Sequence, residues 1–213
     1  MTATIQRQGR KYRARAARHY TAAELTGLFF AFAAIGWLWE VGLHLALEGE
    51  LVNRGTMVGP WLPIYGAGGV LAVLLLRRFA DKPLLTFALG TALCTVIEYG
   101  TGKYLLAVYG LRWWDYSMYP LNIDGLVSPL TSLLFGLGCC AAVYWAGPAL
   151  AARFWRLNQR QARMLLAVLL VLFALDFVWS TVHPNAGAGV AAPVGGMTVI
   201  RPEQIAMLAN NLP

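Results

Sequence analysis

The chain has 213 residues, of which 58% are hydrophobic and only 13% charged, with a mean hydropathy of +0.56 and a formal charge of +7. A soluble domain carries about a quarter charged residues, so this composition excludes an ordinary soluble fold and points to a membrane. The positive residues lie in short blocks beside apolar runs, not on a soluble face, which excludes nucleic acid as a partner.

Residues 1–24 form a basic arm with Arg7, Arg10, Lys11, Arg13, Arg15 and Arg18. The apolar run after it continues past signal-peptide length, so the expectation is an uncleaved anchor. Leu25 to about Leu47 reads as a first spanning helix, long enough for roughly 30 Å of hydrocarbon. It carries Glu40 and His44. A polar loop with Asn53, Arg54 and Gly55 follows. The second span, Pro60–Leu76, is short and begins with two prolines and three glycines, so its first half is expected to be broken or re-entrant. Arg77, Arg78 and Lys82 close it. Pro83 opens a third span to about Tyr109, with Glu98 and Lys103. A fourth runs from about Leu126 to Ala149, with Gly136, Gly138, Cys139 and Cys140 on a small-residue face. Arg153, Arg156, Arg160 and Arg163 precede the fifth, Met164 to about Thr181, which contains Asp176. Cys94, Cys139 and Cys140 all fall in apolar runs and read as packing residues.

The expected fold is therefore all-α: a polytopic bundle of about five transmembrane helices over 25–182. A loose extracytoplasmic tail follows at 183–213, with one short helix after Pro202. The arm and the blocks at Arg77 and Arg153 hold 13 of the 17 Lys and Arg residues. By the positive-inside rule this predicts a cytoplasmic N-terminus and an outside C-terminus in a bacterial inner membrane.

Between the third and fourth spans lies Arg112 to Gly125, RWWDYSMYPLNIDG, aromatic and charged in an apolar chain. Trp113, Trp114, Tyr116 and Tyr119 are expected at the head-group level. A helical turn ended by Pro120 would put Arg112 and Asp115 on one face. Helical rise places Glu40, Glu98 and Asp176 about 18–23 Å into their spans, in the half nearer this loop. Intramembrane carboxylates face partners or water. The candidate binding cluster is thus Glu40, Asn53, Arg54, Tyr65, Glu98, Arg112, Asp115 and Asn122, with the loop folded back as a lid and Arg54 or Arg112 paired to a glutamate. Asp176 is the weakest candidate. No metal site is assigned, since Glu40 and His44 lack further ligands, and no cofactor is expected.

Glu40 within Gly-Trp-Leu-Trp-Glu, Asn53-Arg54-Gly55, Gly59-Pro60, Pro63-Ile64-Tyr65-Gly66, Glu98 with Thr101-Gly102, Arg112 to Ser117, and Asn122 with Gly125 occur in this order. Over residues 28–145 this set resembles the putative ABC-transporter type IV family of small bacterial membrane proteins. The resemblance implies a permease-like membrane component. The chain has no phosphate-binding Gly-x-x-x-x-Gly-Lys-Ser/Thr loop, so ATP would be used by a separate ATPase subunit. The other partners expected are the lipid bilayer and a second copy of the chain. Three readings stand: a transport component with a polar site, an intramembrane enzyme using Glu40 and Glu98 as acid and base, and a non-catalytic membrane scaffold. No catalytic residue is assigned.

Overall fold

A computed structural model of the chain describes residues 18–154, 156, 158–187 and 189–193. The basic arm ahead of Arg18 and the helix expected after Pro202 lie outside the described residues. The protein is all-α, with five α-helices among the described residues. These are α1 (Ala22–Glu48), α2 (Pro63–Leu76), α3 (Pro83–Tyr109), α4 (Pro129–Phe154) and α5 (Gln159–Val182). Among the described residues, α1, α3, α4 and α5 are long and apolar enough to cross a membrane. The chain is a polytopic helical membrane protein.

Local chemistry sets the helix starts. Thr21 caps α1 through Glu24 N–H, while the Glu24 carboxylate accepts from Thr21 N–H at 2.7 Å. Glu24 is buried and also ion-paired with Arg18. Each of these bonds satisfies a donor that the first helical turn leaves free. The fourth helix begins three residues later than its apolar run suggests. Ser128 forms a capping box with Thr131, Pro129 takes the first turn, and Val127 is bridged to Ile123. The fifth begins five residues earlier than Met164, because Asn158 caps it by accepting from Arg160 N–H. Within α4, Ala142–Ala146 is a π-helical turn, with Gly147 N–H bonded to Ala142 O. Pro148, which has no N–H to donate, lies just beyond it.

The second crossing is built in two parts. Its helix, α2, has 14 residues, about 21 Å at 1.5 Å per residue. Pro63 stands in its first turn, and Leu62 before it is extended, as a residue preceding proline must be. Leu62 N–H bonds to Ala33 O near the middle of α1. From there α2 runs antiparallel to α1, reaching Arg77, whose guanidinium donates to Arg18 O. Residues 50–62, ahead of α2, form no helix. Close approach of α1 and α2 needs glycine: a Cβ on Gly66 would lie 2.8 Å from Phe29 O, and one on Gly36 would strike the Tyr65 ring.

The core lies between α1, α2, α3 and α4. Leu28, Phe32, Val73 and Ala142 form one cluster, and Ala72, Leu76, Ala80, Cys139 and Val143 another. Cys94 and Cys139 Sγ atoms meet at 3.3 Å between α3 and α4. The fifth helix lies at the edge, with Phe173 in edge-to-face contact with Phe29, Phe30 and Trp61. One end of the bundle carries Arg18, Arg77 and Arg153 and is here termed the basic end. The other, the loop end, carries residues 49–62, 110–128 and 183–193.

Candidate functional site at the loop end

The non-helical part of the second crossing is held by protein on all its polar groups that matter for position. Asp176 on α5 accepts from Val58 N–H at 3.1 Å, Gly59 N–H at 2.8 Å and Trp61 Nε1–H at 2.7 Å, and Ser180 Oγ–H completes its shell at 2.9 Å. The Asn53 amide bonds Met57 O and Val58 O while its Oδ1 accepts from Trp37 Nε1–H at 2.6 Å. Asn185 Nδ2 donates to Asn53 O and Gly55 O. Irregular backbone at membrane depth is stable only when it is covered in this way. Asp176 therefore has a structural role that its position near a span end did not suggest. Asn185 was not foreseen at all.

The stretch 110–128 folds back onto the bundle, but not as a helical turn. Leu111–Arg112 form a two-residue strand, β1, paired antiparallel with β2, Ala192–Pro193. Arg112 reaches Asp115 Oδ1 at 3.1 Å from this strand. Ser117 donates to the same oxygen from its N–H at 2.8 Å and its hydroxyl at 2.5 Å. These Ser117 bonds first, and Arg112 after them, hold the Asp115 carboxyl below the usual carboxylate range. Asn122 closes the next turn, donating to Ser117 O and Tyr119 O and accepting from Gly125 N–H at 2.9 Å. Gly125 sits at φ 67°, and a Cβ there would run into Arg112, Ser117 and Asp115. The backbone of residues 112–119 is not helical, and beyond Pro120 Leu121 and Asp124 also have positive φ. Of the four aromatic residues expected at the head-group level, Tyr119 is exposed, whereas Tyr116 is turned inward to Glu98 and the two indoles face protein. Trp113 is 5% exposed and donates to Asn185 O, and Trp114 donates to Leu126 O.

Under this loop, two carboxylates meet two tyrosines. Tyr65 of α2 donates to Glu40 Oε1 of α1 at 2.6 Å. Tyr116 of the loop donates to Glu98 Oε1 of α3 at 3.0 Å. Burial first, and the Glu98 carboxylate next, push the Tyr116 phenol up, so it remains a donor. Glu40 lies within electrostatic range of Glu98, and Tyr65 of both Glu98 and Tyr116, so the four groups form one cluster. Arg54 Nε stands 4.0 Å from Glu40 Oε2, and its other nitrogens donate to Gly189 O, Val190 O and Trp113 O. Glu98 is 5% exposed, and its Oε2 is buried without a hydrogen-bond partner among the described residues.

The eight sequence-derived residues thus divide in two. Glu40, Arg54, Tyr65 and Glu98 are brought together. Asn53, Arg112, Asp115 and Asn122 shape the two loops that enclose them. Tyr116 was missing from the set, although it lies in the singled-out stretch. Its partner is 18 residues upstream on another element, and no local pattern marks that pairing. The described part of the tail is anchored: Val190 is buried with Leu105, Leu111 and Trp113, and Asn185 N–H bonds Thr56 O. Gly189 lies against His44.

The chain has no match among curated proteins or solved structures. One family does match, over residues 27–181, and so takes in α5 as well as the shorter stretch of motifs. With that match across most of its length, the chain belongs to the family described as putative ABC-transporter type IV.

Proposed function

We propose that this membrane protein of a transport-related family is a permease-like component whose solute site is the Glu40–Tyr65–Glu98–Tyr116 cluster with Arg54 beside it. One observation carries this reading. Glu98 is buried in an apolar bundle with one carboxylate oxygen left without a partner, which is costly unless something binds there in the working cycle. The short helix α2 supports it, since its first turn carries Tyr65 onto Glu40 inside the bundle. The positive charges at the basic end favour a topology with that end in the cytoplasm of a bacterial inner membrane and the loop end outside. In this reading residues 1–24 are the cytoplasmic arm, 25–182 the bundle and 183–213 an extracytoplasmic tail. Solute enters when β1 parts from β2 and the loop and tail lift from Arg54. Energy from ATP would come from a separate subunit.

A solute panel tests this on the purified full chain. Amino acids, sugars, nucleosides, amines and inorganic anions are each added while heat unfolding is followed. A ligand bound to the folded state raises its stability by mass action. At least one class should raise the midpoint of the wild type and not of Glu98→Gln or Tyr65→Phe. Shifts that persist in both variants, or none from any class, would reject the assigned site.

A further inference from the structure

We propose that Glu98 is a proton-binding site: with the loop docked, its carboxyl carries a proton on Oε2 while Oε1 accepts from Tyr116. The inference rests on the cluster being a transport site and names the ion that would be coupled there. The charges of the loop end lead to it. Arg54 stands beside Glu40 and spends its remaining donors on three carbonyls. Arg112 is paired with Asp115, and Lys103 with Asp124 at 2.7 Å. No described cation of this end is therefore bonded to Glu98.

Among the described residues, the titratable groups that surround Glu98 are all acidic or neutral. They are Glu40 from α1, Tyr65 from α2, Tyr116 from the loop with Tyr119 behind it, and Cys94 on its own helix. The fourth helix has no ionisable side chain from Pro129 to Gly138. An ionised Glu98 would thus be a buried anion facing a second anion with no countercharge, the least favourable state for a carboxylate in an apolar medium. Protonation removes the charge and needs no added volume. A sodium ion would need room and several oxygen ligands at an atom that solvent does not reach. The proton comes from water when the loop lifts and returns to water the same way. Glu40 differs, being partly exposed and next to Arg54.

The test uses dicyclohexylcarbodiimide, an apolar reagent that adds protonated carboxyls of membrane proteins across its C=N bond, taking the acid proton on nitrogen and the carboxylate oxygen on carbon. Full-length wild-type protein in lipid bilayers is treated near neutral pH and digested for mass spectrometry. The adduct should appear on Glu98, be absent from Glu40, and be lost as the pH is raised. Infrared spectra give a second reading without covalent change. The carbonyl band of a protonated carboxylic acid should be present in the wild type and in Glu40→Gln, and missing in Glu98→Gln. An adduct confined to Glu40, a carbonyl band that survives in Glu98→Gln, or loss of the adduct on adding sodium at fixed pH would each overturn the proposal. No solute is present in either measurement, so failure here leaves the solute-panel result standing on its own.

Discussion

The Asp176 carboxylate accepts the backbone N–H of Gly59 at 2.8 Å, tying the last helix to a part of the second crossing that is not helical. Pro60 and Pro63 deny that segment a continuous helix, so its amides need acceptors from elsewhere. Asp176 supplies them to Val58, Gly59 and the Trp61 indole. Asp176→Ala should lower the heat-unfolding midpoint in detergent, with a loss of about 2–3 kcal/mol, since hydrogen bonds to a charged acceptor are worth about 1.5–3 kcal/mol each and water recovers part. Asp176→Asn keeps one acceptor and should lose less. An Ala variant as stable as the wild type would remove Asp176 from this role.

The contact of α1 with α2 depends on glycines under aromatic rings. Gly36→Ala places a methyl group in the space of the Tyr65 ring. Overpacking of this kind costs about 1–3 kcal/mol, and here it would also push Tyr65 away from Glu40. The expected result is a lower unfolding midpoint together with loss of any solute-induced stabilisation. A variant that keeps full solute response would show that the Tyr65–Glu40 bond tolerates displacement.

Arg54 joins three elements that are far apart in sequence. Lysine cannot reproduce its forked donors, so Arg54→Lys should free the tail carbonyls of Gly189 and Val190 and the Trp113 carbonyl. Hydrogen exchange should quicken in residues 111–114 and 189–193, while α3 and α4 stay protected. Uniform exchange throughout the molecule would instead mean that Arg54 supports the whole bundle.

Asp115 gives the loop a pH dependence of known sign. Its folded carboxyl is held below the usual range, by Ser117 first. Its contribution is therefore complete above the unfolded value of about 4 and is lost as pH falls through the lower folded value. The side chain is 54% exposed, so solvent screening limits the effect to below about 1 kcal/mol. Tryptophan fluorescence from Trp113 and Trp114 should report loop loosening only below that pH. Asp115→Asn should flatten the profile, and a wild-type transition near neutral pH would assign the loop's pH response to another group.

The spans were readable because each is a long apolar run, and the break in the second followed from Pro60, Pro63 and the glycines around them. The loop was misread in its local form. A spacing of three between Arg112 and Asp115 suits a helical turn, but Arg112 lies in a short strand and the pair meets across non-helical backbone. Trp113 and Trp114 look like interfacial residues by type, yet their indoles satisfy buried carbonyls. Asn185 escaped notice, and the roles of Tyr116 and Asp176 were not foreseen, for a common reason: each acts on a partner in another element, 18 residues away for Tyr116 and more than a hundred for Asp176 and Asn185. Periodicity carries no record of such pairs.

The central claim is that solute reaches the cluster when the loop and tail separate, and a reversible lock tests it most directly. Arg112 and Ala192 are directly opposed across β1 and β2, as are Leu111 and Pro193. Opposed antiparallel positions lie about 4.5–5.5 Å apart, within disulfide range. The Arg112→Cys/Ala192→Cys pair, and the Leu111→Cys/Pro193→Cys pair that leaves Arg112 in place, are made in a background lacking the three native cysteines. A solute found in the panel should stabilise the reduced proteins and fail to stabilise the oxidised ones, with the response regained on reduction. Equal stabilisation of oxidised and reduced forms would contradict the account.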